Sequence, residues 1–292
     1  MLFEQMLRPS NRRVRLLVGL FLAGLFCIQC TQNARTEYVS ESKYVLPILD
    51  NSGEAGADGL AAGIKRLAET DHIALLELCL ENYHRSYSDY TCTLIKQELI
   101  GNKLRREQTI AVKFMDSPFS VSMKWLRNPT AGDQILYVEG KYNNEMLVRP
   151  TNGLLRALVG GTARRSPDGA DAMRNTLRPV NMFGFKRGLL SLLDVYRQAK
   201  NNGHLKQTFG GLTEVAGRRS LALVRYLPPV ADYPAHKTVI HIDQEYLVPT
   251  CIESYDWEGR LSARYIYKDL LFNVSLKADD FLPEANDMKP PR

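Results

Sequence analysis

The sequence predicts an α+β domain in which one antiparallel sheet of about ten strands is covered by two main helices. The C-terminal part, Val239–Phe281, alternates apolar and polar residues between short turn signals, as strands do. Residues 71–87 and 188–200 repeat apolar side chains every three or four positions, as helices do. Phe119–Arg127 alternates cleanly, which is typical of a strand with one buried face.

The C-terminal part is interpreted as three strands joined by two turns. The turn signals are Asp243-Gln244-Glu245 and the run Asp256–Gly259. One face of the last strand is apolar, and it carries Leu261, Ala263, Tyr265 and Tyr267. This alternation predicts an antiparallel meander with one apolar face.

The middle of the chain is predicted to be rich in strands separated by turns. Its candidate strands are Tyr90–Leu99, Glu107–Met115, Phe119–Arg127, Gln134–Glu139 and Asn144–Arg149. The helix over 71–87 precedes them, with Asp71 as its predicted N-cap. A hairpin over Leu212–Leu227 leads into the C-terminal meander and completes the sheet.

Residues 150–187 interrupt this pattern with five glycines and three prolines, and they predict a long loop. Residues 141–187 hold nine Lys or Arg against three Asp or Glu, so positive charge is concentrated there. The loop either rims a site for an anionic ligand or is simply solvated. The basic residues expected near such a ligand are Arg164, Arg165, Arg174 and Arg178.

The first 30 residues are interpreted as an export signal or an N-terminal membrane anchor. Four arginines precede Leu16–Ile28, an apolar run of 13 residues that is shorter than the roughly 20 residues of a spanning helix. Cys27 and Cys30 raise the alternative of lipidation, although the residues before each of them are not small. The protein is therefore expected to be exported.

The predicted domain order has one globular part. Residues 1–30 form the export or anchor segment, and 31–69 form a flexible linker that leads into the first helix. Residues 70–282 form a single globular domain, and 283–292 form a tail.

Composition and charge exclude several classes of protein. With 45% hydrophobic and 24% charged residues, the chain is globular and not disordered. The net charge is +6, of which residues 1–30 contribute +3, so the rest is only mildly basic and nucleic-acid binding is not expected. Cys79 and Cys92 either pair as a disulfide in an oxidising compartment or remain buried thiols, and both alternatives stay open.

The motifs of common enzymes are missing from the sequence. It contains no G-x-S-x-G elbow, no phosphate-binding loop and no H-E-x-x-H pair. His241 and Asp243 lie two apart on a predicted strand, but a polar surface pair explains them better than a metal site does. Glu253, Asp256 and Glu258 surround a turn, where solvation explains them better than acid–base chemistry does. No catalytic residue, metal or cofactor is therefore predicted.

Aromatic and large apolar side chains recur on the predicted strands. If the sheet curls, its concave face can enclose an apolar cavity; otherwise the same residues form an ordinary core beneath the helices. The candidate cavity residues are Phe114, Phe119, Val121, Met123, Trp125, Tyr137, Tyr265 and Tyr267.

Several stretches of the chain match a known family in order and spacing. They are Asp89–Glu98, Pro118–Trp125, Leu136–Gly140, Val248–Thr250 and Tyr255–Trp257. Over about residues 70–282 the chain resembles a bacterial family catalogued as domain of unknown function 1571. This family has no established activity, so the resemblance implies no catalytic residues.

The end of the meander, Tyr265–Leu270 with Asp280 and Phe281, is similar to the C-terminal strands of LolA-type lipoprotein carriers and their LolB-like relatives. Those proteins have an incomplete, curled antiparallel barrel closed by helices, with an apolar cavity that takes acyl chains. The resemblance therefore implies a curled sheet with such a cavity. The basic insertion and the linker depart from the pattern of a freely shuttling carrier.

These observations predict a non-catalytic protein of the bacterial periplasm or envelope that binds a lipid, a lipoprotein or another amphiphile in an apolar cavity. The alternative is a structural or interaction module with a packed core and a protein or polymer partner in the envelope. A hydrolase is a weaker third alternative. The N-terminal segment would attach the protein to the membrane if it stays uncleaved.

Overall fold

The computed structural model describes residues 40–47, 59–230 and 233–291, so the predicted export segment and Cys27 and Cys30 lie outside the described residues. The strands are β1 (Val45–Pro47), β2 (Asp89–Ile100), β3 (Lys103–Leu104), β4 (Gln108–Met115), β5 (Ser120–Arg127), β6 (Gly132–Val138), β7 (Met146–Pro150), β8 (Ala163–Arg165), β9 (Lys206–Val215), β10 (Arg218–Tyr226), β11 (Lys237–Asp243), β12 (Pro249–Tyr255) and β13 (Leu261–Phe272). The α-helices are α1 (Gly59–Thr70), α2 (His72–Ser86), α3 (Gly153–Leu158), α4 (Ala170–Met173) and α5 (Phe185–Asn201). Short 3-10 turns cover Tyr142–Asn144, Val180–Met182, Ala278–Phe281 and Glu284–Asn286.

All thirteen described strands belong to one antiparallel sheet, and the predicted fold class is confirmed. The strand order is β1-β9-β10-β11-β12-β13-β2-β4-β5-β6-β7-β8, and β3 pairs with β2. The sheet is open, because β1 and β8 at its two ends are not paired with each other. The sequence predicts about ten strands because β1, β3 and β8 span only two or three residues and carry too little alternation to be recognised.

Both predicted helices are present. The Asp71 side chain accepts the backbone N–H of Ala74 at 3.1 Å and caps α2, as expected. Helix α5 begins at Phe185, three residues earlier than predicted, because Gly184 takes a positive φ of 102° and ends the preceding segment. The predicted loop over 150–187 contains α3, β8 and α4, which are too short to produce a helical or strand period.

The sheet has two covered faces. The inner face packs against α1, α2 and α5 in the main hydrophobic core. The outer face is covered by the two ends of the described chain: Val45 packs near Ile95 and Cys251, and Phe281 and Met288 pack near Leu136. Ordered structure therefore extends beyond the predicted globule of residues 70–282 on both sides.

Candidate functional site

Strand register arranges the inward-facing side chains in rows that cross the sheet. The first row holds Tyr90, Phe114, Val121 and Tyr137; the second, Cys92, Val112, Met123 and Ile135; the third, Tyr267, Leu94, Ile110 and Trp125; the fourth, Ile252, Tyr265, Lys96 and Gln108. Polarity rises along this face, because the first row contains aromatic and aliphatic groups and the fourth contains an amine and an amide. The sheet therefore presents an amphipathic inner surface.

The first row is packed solid. Tyr90 stacks on Phe114 with ring centroids 4.8 Å apart and meets Phe185 of α5 at 5.0 Å. Phe119 lies edge-on to Phe114 at 5.3 Å and to Tyr137 at 5.8 Å. Edge-on and offset ring pairs of this kind are favourable contacts, so this end of the inner face is an ordinary aromatic core.

A cavity of about 160 Å³ lies over the other rows. Every member of the third and fourth rows lines it, as do Met123 and Ile135 of the second, whereas none of the first row does. Its roof is residues 166–184 between β8 and α5, which we call the cover segment. Thr130 and Arg178 line the cavity and are exposed, so it adjoins solvent on their side.

The cover segment contacts the sheet through polar and aromatic side chains. Thr176 Oγ1 accepts a hydrogen bond from Lys96 Nζ at 2.7 Å. The Phe183 ring lies 5.9 Å from Phe114 and 6.1 Å from Tyr267, at the border of the packed region. Polar and aromatic contacts thus hold the roof of the cavity.

A buried polar group stands at the fourth row. Lys96 Nζ lies 3.0 Å from Glu98 Oε2, and the Tyr265 hydroxyl donates to Glu98 Oε1 at 2.5 Å. Burial, and then the Glu98 charge, raise the pKa of Tyr265 well above its usual range, so its hydroxyl remains a donor. The cavity therefore has an apolar floor and one charged, hydrogen-bonding end.

The predicted cavity residues divide between the two regions. Met123, Trp125, Tyr265 and Tyr267 line the cavity. Phe114, Phe119, Val121 and Tyr137 are buried in the packed core and do not line it. Sequence reasoning missed the lining residues Lys96, Glu98 and Gln108, although their place on the same strand face as Leu94 and Ile110 could have indicated them.

The four basic loop residues are not brought together. Arg178 lines the cavity, and its guanidinium lies 5.8 Å from the Tyr265 ring centroid. Arg164 pairs with Glu145 at 2.9 Å, Arg174 pairs with Asp171 at 2.7 Å, and Arg165 is exposed. Only Arg178 of this set therefore touches the cavity.

The alternative disulfide between Cys79 and Cys92 is not formed, because both residues are free and buried. Cys79 faces the core from α2 and Cys92 faces it from β2. Burial raises the pKa of the Cys79 thiol to about 12, so it stays protonated at neutral pH. In the structure both residues act as small apolar side chains.

The outer face carries a buried polar cluster of a different kind. Ligand atoms of His241, Cys251 and Glu253 lie within 4.8 Å of one another. Glu253 Oε1 accepts hydrogen bonds from Arg264 at 2.7 Å and Ser40 at 2.8 Å. Burial, and then Glu253, raise the pKa of the Cys251 thiol well above its usual range, which disfavours the thiolate that a metal needs. The cluster is best described as a structural ion pair.

His241 and Asp243 do not form a joint site. Asp243 pairs with Arg218, whose Nη2 lies 3.0 Å from its Oδ1. Asp256 accepts Arg260 Nε at 2.8 Å at the following turn, whereas Glu253 is buried on β12. Asp256 and Glu258 therefore share Arg260 at the turn, and Glu253 is apart from them in the buried cluster of the outer face.

No helix among the described residues is long and apolar enough to cross a membrane. A comparison of the sequence with curated proteins finds no match.

Several solved structures match parts of this chain at low sequence identity. A structure of the Pseudomonas aeruginosa MucA/MucB complex is 14% identical, with a TM-score of 0.44, over 75% of this chain and 63% of that one. A putative outer membrane lipoprotein-sorting protein domain from Vibrio parahaemolyticus is 14% identical, with a TM-score of 0.35, over 72% and 97%. A LolA superfamily protein from Nitrosomonas europaea is 10% identical, with a TM-score of 0.31, over 72% and 98%.

The chain spans less than two thirds of the MucB chains that it matches, 62% of one and 63% of another. A likeness of this degree carries no conclusion about function. The match to a family is more extensive, because it covers residues 87–289 and includes the motif stretches from Asp89 to Trp257. The chain therefore belongs to the family described as protein of unknown function DUF1571.

Proposed function

We propose that this protein is a non-catalytic envelope protein that buries the apolar part of a lipid, lipoprotein or other amphiphile in the cavity beneath the cover segment. One observation carries the proposal. The cavity lies where the inner face passes from apolar rows to the polar row of Lys96 and Gln108. A tail against Leu94 and Ile110 would place its polar end at that row.

The size of the cavity limits what fits without rearrangement. Its volume of about 160 Å³ is close to that of an engineered apolar cavity of about 150 Å³ that takes benzene. It therefore accommodates a tail of about six carbons, whereas drug-sized ligands occupy roughly 300–1,000 Å³. A full acyl chain enters only if the cover segment moves away from the sheet.

The expected affinity is modest. Burial of about six methylenes at roughly 0.8 kcal/mol each supplies about 5 kcal/mol before the cost of ordering the ligand. Short probes should therefore bind with dissociation constants in the millimolar range. Longer natural ligands gain more from burial but must displace the contacts of Thr176 and Phe183 with the sheet.

The chain's own tryptophans provide the test. The sequence has two tryptophans, Trp125 at the cavity and the exposed Trp257. Trp257→Phe therefore leaves Trp125 as the single tryptophan whose fluorescence reports on the cavity. Bromohexanol, whose bromine quenches indole fluorescence, should quench Trp125 saturably in the full-length protein. Quenching that rises linearly, without saturation, would contradict the proposal.

A pair of glycine substitutions locates the binding. Gly188 of α5 lines the cavity, and a Cβ added there meets nothing within 4 Å. Gly63 of α1 has the same free space but does not line the cavity. Gly188→Leu should abolish saturable quenching without unfolding the protein, and Gly63→Leu should leave it unchanged. Equal quenching in both variants would place the probe elsewhere.

The second candidate is an interaction module, and exposed leucines favour it. Leu154 and Leu158 of α3 are 75% and 74% exposed, and Leu155 beside them is 43% exposed. Apolar surface of this kind is typical of a contact with a partner. Replacing Leu154 and Leu158 with Ser should abolish recovery of an envelope partner after cross-linking while bromohexanol binding persists. If the partner is recovered equally well from the variant, α3 is not the surface that contacts it.

A further inference from the structure

The charged and hydrogen-bonding side chains at the polar end of the cavity indicate which polar group a ligand would carry. Glu98 supplies the one carboxylate among the described residues that line the cavity. Its Oε1 accepts the Tyr265 hydroxyl at 2.5 Å, and its Oε2 forms an ion pair with Lys96 Nζ at 3.0 Å but no hydrogen bond. A ligand donor would have to compete with these charge-assisted contacts.

A hydroxyl of the cover segment at this point is also engaged. Thr176 Oγ1 accepts from Lys96 at 2.7 Å, and the same hydroxyl donates to the Arg178 carbonyl at 3.1 Å. An ammonium head would therefore compete with the Lys96 ammonium for both Glu98 and Thr176.

Two donors at the cavity remain available. Trp125 lines the cavity, and its Nε1–H is buried with no acceptor among the described residues. The Arg178 guanidinium has the Tyr265 ring beside it and forms no ion pair within the described chain. A buried N–H without a partner costs about 1–3 kcal/mol, so a ligand acceptor that reaches it is favoured.

The charges at the cavity point in the same direction. Lys96 and Arg178 are cations and Glu98 is an anion, so the lining carries one net positive charge. A carboxylate balances this charge, whereas a phosphate monoester brings about −1.5 to −2. A carboxylate is also planar, and it can accept two parallel hydrogen bonds from a guanidinium group such as that of Arg178.

We propose that the cavity selects single-chain amphiphiles with a carboxylate head, which accepts hydrogen bonds from Arg178 and Trp125 while the tail lies on Leu94 and Ile110. This inference rests on the proposed function and names the ligand class of the same site. Arg178 is the residue that sets the preference for a charged head. The other arginines of the cover segment and its flanks take no part, because their guanidinium groups are paired elsewhere or lie outside the cavity.

The test compares three heads on one tail. Bromohexanoate, bromohexanol and bromohexylamine are titrated against the full-length Trp257→Phe protein, with Trp125 quenching as the readout. Bromohexanoate should bind about fivefold more tightly than bromohexanol, the gain of a partly exposed charge pair, and bromohexylamine should bind more weakly than both.

Two arginine variants show whether the preference belongs to the cavity. Arg178→Gln should reduce the affinity for bromohexanoate to that for bromohexanol. Arg174→Gln is the matched control, because Arg174 lies on the same segment, is exposed and pairs with Asp171 outside the cavity. It should change neither affinity.

Each outcome decides between the two proposals. If all three probes bind equally, or if Arg174→Gln weakens bromohexanoate as much as Arg178→Gln does, the carboxylate inference is overturned and amphiphile binding stands. If no probe quenches Trp125 saturably, both fail. A carboxylate preference that is lost only in Arg178→Gln supports both.

Discussion

The two ends of the inner face lie on the same strands but are covered by different elements, helices at one end and the cover segment at the other. Beneath α2 and α5, the first row is filled by Tyr90, Phe114 and their aromatic neighbours. Beneath the cover segment, the third and fourth rows border a cavity of about 160 Å³. A helix of regular period can place a large side chain into each gap of the sheet, as Phe185 does here. The Pro- and Gly-containing cover segment has no such period, and its side chains leave a gap.

The largest expected difference between the two ends comes from removing one aromatic side chain from each. Phe114→Ala should lower the free energy of unfolding by about 3–5 kcal/mol, because the ring is 1% exposed and touches other rings on several sides. Trp125→Ala should lower the free energy of unfolding by about 1–2 kcal/mol less than Phe114→Ala does, since part of the Trp125 side chain already faces a void. Urea unfolding measures the stability of both variants, and equal losses would contradict the presence of a cavity beside Trp125.

The helices that cover the sheet should also make stability depend on pH through His72, the buried first residue of α2. Burial lowers the pKa of His72 to about 4, and the ring lies 3.2 Å from the Tyr196 hydroxyl and 3.0 Å from the Ala68 carbonyl. The unfolded chain takes up this proton near pH 6.5 and the folded chain does not, so stability is fully present above pH 6.5 and falls towards pH 4. The loss is about 3 kcal/mol.

Unfolding at several pH values, in the protein and in His72→Gln, measures this contribution. The slope between pH 4 and pH 6.5 should be shallower in the variant. An identical slope would mean that other groups cause the acid sensitivity.

The border between the two ends depends on Gly184. Its φ is +102°, and an added Cβ would lie 2.7 Å from Phe114 Cζ. Gly184→Ala should therefore lower the free energy of unfolding by about 1–3 kcal/mol, because the packed ring has little room to move. Thermal unfolding checks this value, and a neutral substitution would show that the border can adjust.

The smallest effect is expected at the hollow end, and it is stabilising. Gly188→Ala adds a methyl group to helical backbone that has free space around it, so it should raise stability by about 0.5–1 kcal/mol. Gly63→Ala in α1 provides the comparison, because it gives the same gain in helix propensity away from the cavity. A loss at Gly188 alone would show that the space beside α5 is already occupied.

Much of the fold could be predicted from the sequence because the long elements carry strong periods. The alternation around Trp125 predicts β5, and the three- and four-residue repeats predict α2 and α5 nearly to their ends. The short strands β1 and β8 could not be predicted, since three residues do not establish a period.

The site was predictable only in part, for a physical reason. Alternation shows that Phe114 and Trp125 share a face, but the cover decides which of them meets a void. That cover packs through long-range contacts, such as Lys96 with Thr176, which are 80 residues apart in the chain. A single sequence contains no signal of such a pairing.

The two chain ends on the outer face have a practical consequence. Phe281 and Met288 shield Leu136 and Leu147 from water, and Val45 does the same for Ile95. A protein that lacks Val45, Phe281 and Met288 would expose these apolar side chains to water, and copies of it would be expected to associate through them. Reporter tags and truncations should therefore be placed with care, since these terminal segments cover the outer face of the sheet.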